Sequence, residues 1–412
     1  MQTIVFIETN KSGSSREAIK EAERLGYLTV LLTNRKKFLT QRSEFPDVHQ
    51  MYFLNKLNVQ QLRQKIAFLN QQGKRVQAVL SFIDPYVQIA AQLSEYFCNT
   101  ELNKYAISNM EDKIQTRKIL TGTVISPFFT VFDPKIDVID LFLTKYVRYL
   151  PLIVKAPVST GSKDVLLVED REQLKTAIQS FIKKFRDQPV LIEEYLDGPQ
   201  YLLEILVQQG EIHLVAVIKQ EISKNERFIV TGYGLLANVE KEMKNSLDEV
   251  IKTIIKNLQI ENGAFHLELK RVNDQWKLIE INPRISGGVM NRLIEVGFGI
   301  NLVRETIKLY TGQKALIDKQ YHKYAYAHYI TVNSTGRLKK VTGKQRALRY
   351  EGVEEVYIKP RKGALLTPPL SMGRRYGYVL ASADTLLKAK SIAKEAAKEI
   401  QFHLHPMERK EI

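Results

Sequence analysis

The sequence predicts a multidomain chain, α/β at its start and α+β further on, from three observations. Residues 1 to about 100 alternate short apolar runs with amphipathic ones, residues 263–288 hold two strictly alternating runs joined by a polar turn, and the last ninety residues set strand-like runs before one helical stretch. With 412 residues, 44% of them hydrophobic, the chain can bury a large core and should divide into two to four domains.

In the first region the patterns predict strands at 4–7, 28–32 and 78–82 and helices at 14–25 and 59–71, the order of a parallel α/β sheet. The turn Asn10-Lys11-Ser12-Gly13-Ser14-Ser15 falls at the carboxyl end of the first strand, where such sheets bind ligands. It is not GxGxxG, so an independent dinucleotide site is not expected there. Ser81 and Asp84 end another strand and are substrate candidates. Asp84 reads equally well as the partner of a substrate ammonium or as the cap of a helix starting at Pro85.

Next, Met110-Glu111-Asp112-Lys113 opens a helical run through Leu120. The apolar strand Leu152-Ile153-Val154 ends in a lone Lys155, followed by the small-residue loop 158–165, a natural phosphate cradle; the alternative is a strand-end lysine that snorkels. Residues 189–199 read as a buried strand running into a turn, 202–207 as a strand around Glu204, and 214–218 as another.

The run GAFHLELKRVNDQWKLIEINPRISGG, Gly263 to Gly288, carries the strongest chemical signal. Alternation puts Phe265, Leu267 and Leu269 on one side of the first strand and Ile279 and Ile281 on the matching, buried side of the second. His266, Glu268, Lys270, Glu280 and Asn282 share the other face. A three-residue turn at Asn273, Asp274 and Gln275 would set Glu268 across from Glu280 and His266 across from Asn282, with facing Cβ atoms about 4.5–5.5 Å apart. Facing carboxylates repel unless a cation lies between them, and two carboxylates, an amide oxygen and phosphate oxygens suit Mg²⁺ (or Mn²⁺). The metal candidates are therefore Glu268, Glu280 and Asn282, with His266 beside them as a substrate candidate. Arg284 projects beside this set, Pro283 ends the ladder, and Ser286-Gly287-Gly288 offers N–H groups to a carboxylate or developing oxyanion. The bland alternative is a solvated sheet face, but sheets more often set Lys or Arg opposite Glu.

Glu268 followed by Glu280-x-Asn282-x-Arg284 resembles the metal signature of the ATP-grasp superfamily. The resemblance implies an N-terminal parallel α/β domain (1–107) that shapes the substrate pocket, an ATP-grasp domain (108–320) with a mobile lid near 122–192, and an α+β C-terminal domain (321–412). It implies ATP held by Lys113 and Lys155, with loop 158–165, Ser162 included, lying over the phosphates. Residues 189–199 would be the adenine hinge: backbone groups of Glu194 and Leu196 read the adenine edge, Glu193 faces its amino group, and a later acid holds the ribose, Glu204 being counted with this set. Arg374 to Val379 is similar to the C-terminal domain of carboxylase-like and amino-acid-ligase-like members. The implied activity is most like that of the L-amino-acid ligases that make dipeptides. A carboxylate, an L-amino acid at the family level, is activated as an acyl phosphate and joined to an amine with release of ADP and phosphate. Arg284 would clamp the phosphoryl group and then the oxyanion, while Gly287 and Gly288 hold the acyl carboxylate. A ligase that loads a carrier-protein thiol and an inactive ATP-binding regulator are the alternatives.

Composition narrows the remaining classes. The single cysteine, Cys98, forbids an internal disulfide or a cysteine metal cluster and suits the cytoplasm. No apolar run reaches the roughly 18 residues of a membrane span, and the first residues lack a basic leader, so no membrane association is expected. The formal charge is +16, but the 61 basic residues are spread along the chain without a nucleic-acid motif, so the expected partners are small anionic substrates rather than nucleic acid. A homodimer is the default assembly.

Overall fold

The first sheet is built from runs apolar on both faces, as a parallel sheet covered by helices requires. The computed structural model describes residues 1–98, 100, 102–157, 164–185, 188–223, 229–369 and 372–406. Its N-terminal sheet has the order Gln50–Phe53, Leu28–Thr33, Gln2–Ile7, Arg75–Leu80, all parallel. The strand Gln50–Phe53 was not expected: four residues, all half-buried, give no alternation to read at a sheet edge.

A second, four-stranded antiparallel sheet runs Phe129–Phe132, Val190–Glu194, Leu152–Lys155, Val165–Val168. It has its own core of Phe132, Leu143, Val154, Leu174, Ile178 and Phe181, under the helices Ile139–Tyr146 and Arg171–Phe185. The expected helix from 110 to 120 is broken in two. Asp112 adopts an extended conformation after Lys104–Glu111, and its carboxylate accepts from the N–H of Ile114 (2.8 Å) and Gln115 (3.2 Å), restarting a helix at Lys113–Ile119.

The largest sheet has eight antiparallel strands: Gln275–Asn282, Gly263–Val272, Gln200–Gln208, Glu211–Ser223, Ile229–Leu235, Tyr324–Ile330, Gly377–Ala383, Val353–Ile358. It is continuous from the Glu268/Glu280 hairpin into the strands after residue 320. Strand alternation divides its two faces. Leu203, Ile205, Val207, Phe265, Leu267 and Leu269 pack on the helix Lys241–Leu258, whereas Leu202, Leu206 and Ala264 share a core with Phe6, Ile19 and Leu31 of the N-terminal unit. Glu204 and His266, in phase with that second set, therefore look toward the N-terminal unit. A small sheet of Leu365–Leu366, Gly336–Thr342 and Gln401–Pro406 completes the chain, and the helix Leu386–Lys398 covers the strands beside it.

The hairpin keeps the expected facing pairs by a different route. His266 faces Asn282 and Glu268 faces Glu280, but beyond them the register shifts, with Leu269 opposite Leu278 and Val272 opposite Gln275. The turn is two residues, Asn273 and Asp274, both left-handed (φ 47° and 60°), and the register returns to the expected phase at a β-bulge around Ile279. Trp276 and Leu278 are consequently buried in place of Ile279, which is only half-buried, while Ile281 is buried as expected.

A left-handed conformation costs an L-residue roughly 1 kcal/mol that glycine does not incur. Asp274→Gly should raise the unfolding midpoint, by about 0.5–1 kcal/mol in a chemical denaturation series; an unchanged or lowered midpoint would contradict the turn described.

Candidate active site

Glu268 and Glu280 meet as facing partners, their side chains 28% and 26% exposed. Each is held by neighbours from other elements. Lys113, buried at the start of its short helix, places Nζ 3.1 Å from Glu280 Oε1. Glu268 accepts from Gln200 Nε2 at 2.8 Å and lies 3.7 Å from His266 Nε2. Burial alone would raise the Glu268 carboxyl, but His266, with Lys113 and Lys155 beyond it, holds it below the ordinary range.

His266 is clamped between two acids. Its Nδ1 lies 2.7 Å from Glu204 Oε1, and the other Glu204 oxygen accepts from the Ser286 N–H at 3.2 Å. Burial pulls the imidazole down, yet the charge of Glu204 and its hydrogen bonds with Glu204 and Glu268 raise its pKa to about 10. Glu204 is fully buried and joins the Ser286 turn to His266.

Glu193 is buried between Lys155, with which it forms an ion pair, and Arg117, whose Nε lies 2.5 Å from its other oxygen. Burial opposes its charge, but the two cations hold its carboxyl low. Burial also draws Lys155 below the usual lysine range, against the pull of Glu193. The fully buried Arg117 donates from Nη2 to the carbonyls of Leu278 (2.9 Å) and Ile279 (2.8 Å), at the hairpin bulge. In the hinge, the Glu194 N–H donates to Phe128 O (3.1 Å), its carboxylate accepts from Phe128 N–H (2.8 Å), and Leu196 O accepts from Lys270 (2.7 Å). Ser162 lies outside the described residues.

Arg284 reaches across to the N-terminal unit. Its Nε lies 2.5 Å from Asp84 Oδ1, its Nη2 pairs with the same oxygen, and Nη1 donates to Ile285 O at 3.0 Å. Asp84 is the first residue of the helix Asp84–Cys98. Ser81 does not present a free hydroxyl to a substrate. It is buried, donates to Ile7 O (2.8 Å) and accepts from the Ile83 N–H (3.2 Å), shaping the loop that carries Asp84.

The two glycines form the exposed stretch between buried Ser286 and Val289. Ser14 Oγ donates to Ser286 O at 2.5 Å, and Asn291 Nδ2 donates to Ser14 Oγ at 2.6 Å. A Cβ on Gly13 would lie 3.5 Å from the Gly288 nitrogen, so the N-terminal turn sits directly against this loop. Ser286 Oγ and Asn291 Oδ1, buried here, have no hydrogen-bond partner among the described residues.

Two contributors escaped sequence reasoning. Arg117 sits on a short polar helix where an arginine is ordinarily solvated. Glu111, whose Oε1 accepts from the Gln88 N–H at 3.3 Å, is within electrostatic reach of Asp84 and Arg284; burial pushes its pKa up to about 7, with Asp84 adding and Arg284 opposing.

Residues 148–292 match the family model of the ATP-grasp domain, and residues 328–405 that of the L-amino acid ligase C-terminal domain 2. The chain carries an ATP-grasp domain. The chain is 26% identical over 261 residues to the uncharacterized protein y4rH of Sinorhizobium fredii, covering 62% of this chain and 54% of that protein. It is 23% identical over 267 residues to dapdiamide A synthase of Enterobacter agglomerans, covering 61% and 62%. The match thus spans less than two thirds of either relative's length. The crystal structure of an L-amino acid ligase from Bacillus licheniformis superposes with a TM-score of 0.80 over 98% of this chain and 99% of that one, at 21% identity. ATP-grasp architecture therefore extends over nearly the whole chain.

Removing one member of a buried, hydrogen-bonded ion pair costs about 3–5 kcal/mol. Arg117→Met should lose that much in denaturant unfolding and weaken nucleotide binding, since Lys155 would then face Glu193 without its second cation; a loss under about 1 kcal/mol would sink the clamp. For Glu111, the folded pKa lies above the unfolded one, so the wild-type protein loses stability as pH rises between 4.5 and about 7. Glu111→Gln should gain in thermal midpoint relative to wild type across that window and hold the gain above it, whereas a pH-independent difference would contradict the burial.

Proposed function

We propose that this chain is an ATP-dependent ligase that activates a carboxylate, an L-amino acid, as an acyl phosphate and joins it to an amine, a second amino acid, releasing ADP and phosphate. The observation that carries this reading is the Arg284–Asp84 pair, which places an arginine two residues beyond Asn282 against an acid of the N-terminal unit. A zwitterionic amino acid inserted there would exchange that pair for two of its own: its ammonium on Asp84, its carboxylate toward Arg284 and the Gly287-Gly288 turn. In this reading domain 1–107 shapes the pocket, 108–320 holds the nucleotide with 122–192 as its lid, and 321–412 closes the rear.

Glu268, Glu280 and Asn282 would hold Mg²⁺ or Mn²⁺. Their carboxylates face each other and remain partly open, and Lys113 and His266 balance their charge in its stead, which fits a cation position. Among the described residues no three His, Cys, Asp or Glu side chains converge as a metal cluster. Two carboxylates and one amide must then be completed by phosphate and water oxygens, a donor set that suits Mg²⁺. When bound, the ion neutralises charge on the β- and γ-phosphates. Lys113 and Lys155, buried at the edge of this face, would take the remaining phosphate charge, and Glu193 with Arg117 would fix the Lys155 ammonium in place. Arg284 would stabilise the transferred phosphoryl group and then the tetrahedral oxyanion. Glu111, charged over only part of the neutral range, would tune the field at Asp84. Among the described residues no helix is long and apolar enough to cross a membrane, in keeping with a small-molecule enzyme.

Phosphate release from Mg-ATP across the twenty amino acids, singly and in pairs, with mass spectrometry of the products, tests this. Pair-dependent release with a dipeptide mass and ADP is expected, and Arg284→Met should lower kcat/KM by about 10² to 10³. Product formed only on a carrier thiol would replace the amine acceptor, and ATP binding without turnover on any substrate would replace the enzyme with a regulator.

A further inference from the structure

Two consecutive peptide groups lead into the exposed Gly287-Gly288 stretch, and three of their four polar ends are held. The Ile285–Ser286 peptide is gripped on both sides: its carbonyl accepts from Arg284 Nη1 (3.0 Å) and its N–H donates to the fully buried Glu204 carboxylate (3.2 Å). The Ser286–Gly287 peptide is gripped on one side. Its carbonyl accepts from Ser14 Oγ at 2.5 Å and from Asn291 Nδ2 at 3.3 Å, and the same Asn291 nitrogen donates to Ser14 Oγ at 2.6 Å. Ser14, Ser286 and Asn291 are all buried. The fourth end, the Gly287 N–H, meets no acceptor among the described residues.

Peptide planarity converts that asymmetry into a direction. The Ser286–Gly287 bond is trans, and in a trans peptide the C=O and N–H point to opposite sides of the chain. Ser14 and Asn291 draw the Ser286 carbonyl into the buried seam with the N-terminal unit, so the Gly287 N–H faces away from that seam, toward the open side where Gly287 and Gly288 are exposed. The far end of the loop is fixed as well. The Tyr329 hydroxyl accepts from the Val289 backbone N–H and would lie 3.5 Å from a Cβ on Gly288. Tyr329 in turn packs edge to face with Tyr233 and Tyr378 of the neighbouring strands (centroids 5.7 and 6.2 Å). A donor aimed from a pinned peptide needs no reorganisation when an anionic oxygen arrives.

The two glycines differ in what the fold asks of them. Gly288 is left-handed (φ 67°), a conformation that favours glycine. Gly287 is not, and a Cβ added to it would meet no atom within 4 Å. Neither backbone angle nor packing demands glycine at 287, and a glycine that the fold does not demand gives up stability through the freedom of the unfolded chain. What the missing side chain leaves clear is the approach to its own N–H.

We propose that Ser14 and Asn291 are positioning residues, which act through the Ser286 carbonyl to aim the Gly287 N–H at the carboxylate of the donor amino acid. This rests on the ligase function proposed above. It makes donor recognition conditional on the N-terminal unit, because the hydroxyl that sets the direction belongs to the first residue of the helix Ser14–Arg24.

Donor activation is read apart from the acceptor by trapping with hydroxylamine, whose nitrogen displaces phosphate from the acyl phosphate to give a hydroxamate. In this assay Ser14→Ala and Asn291→Ala should each raise the donor KM by about 10-fold, the span of one hydrogen bond to a charged group, with the ATP KM little changed. Because both act through one carbonyl, the double variant should lose no more than the worse single one, and Ser14→Thr, which keeps the hydroxyl, should restore part of the loss. Gly287→Ala should unfold at the wild-type midpoint or above it and yet raise the donor KM at least as much, its methyl standing in the donor's space. An unchanged donor KM in Ser14→Ala and Asn291→Ala, additive losses in the double variant, or equal rises in donor and ATP KM would overturn the assignment and leave the ligase reading intact. A wild-type protein that forms no hydroxamate with any amino acid would overturn both, before any variant is made. Thermal unfolding and Mg-ATP titration of each variant separate misfolding from lost aim.

Discussion

A fully buried guanidinium holds the catalytic face in register. Arg117 meets Glu193 in the small four-stranded sheet and the carbonyls of Leu278 and Ile279 in the eight-stranded one. One planar fork joins three polar groups from two sheets, a role that the point charge of lysine cannot fill. Lys155 depends on the same contact, because the carboxylate that orients it is itself shared with Arg117. The carbonyls it holds lie at the bulge that returns the hairpin to the phase in which Glu268 faces Glu280. Lys155 and the pair of acids are thereby tied to one side chain.

The sequence made the chemical end of the hairpin legible and its middle illegible. Period-two alternation fixes which residues share a face, so the pairs Glu268/Glu280 and His266/Asn282 could be read directly. A bulge leaves no such trace. The extra residue is felt only as a change of which side chains are buried, Trp276 and Leu278 rather than Ile279, and a three-residue turn reproduces the same outer pairs. Lys155 and Arg284 could likewise be picked out, since a cation at a strand end beside small residues is a local pattern, whereas Lys113 came only from the resemblance. The protein partners of Glu193 and Glu204 could not be read, because they lie 76 and 62 residues away in the chain. Arg117 and Glu111 carry no local signal. Both sit on short helices of ordinary polarity, and only tertiary packing buries Arg117 and half-buries Glu111.

The N-terminal unit contributes more than shape. Its first turn lays Gly13 against Gly288, Ser14 donates to Ser286 O, and Asp84 holds Arg284. Small residues at that turn allow the backbones to approach, which a dinucleotide-binding loop would also require, but here the approach is to a protein loop. The exposed Gly287-Gly288 stretch is therefore walled by the N-terminal unit on one side and by the tyrosines of the C-terminal strands on the other.

The eight-stranded sheet has a mechanical consequence. Main-chain pairing between Ile229–Leu235 and Tyr324–Ile330 welds the strands that bear the acids to those that bear the tyrosines, so neither can rotate against the other without rupturing a ladder of hydrogen bonds. The rear of the cleft is a stiff plate, and any opening and closing would fall to the four-stranded sheet, whose Phe129–Phe132 and Val165–Val168 edges pair with none of its strands among the described residues. Stiffness behind and compliance in front would let the substrate-facing wall keep its geometry through a cycle of nucleotide entry and release.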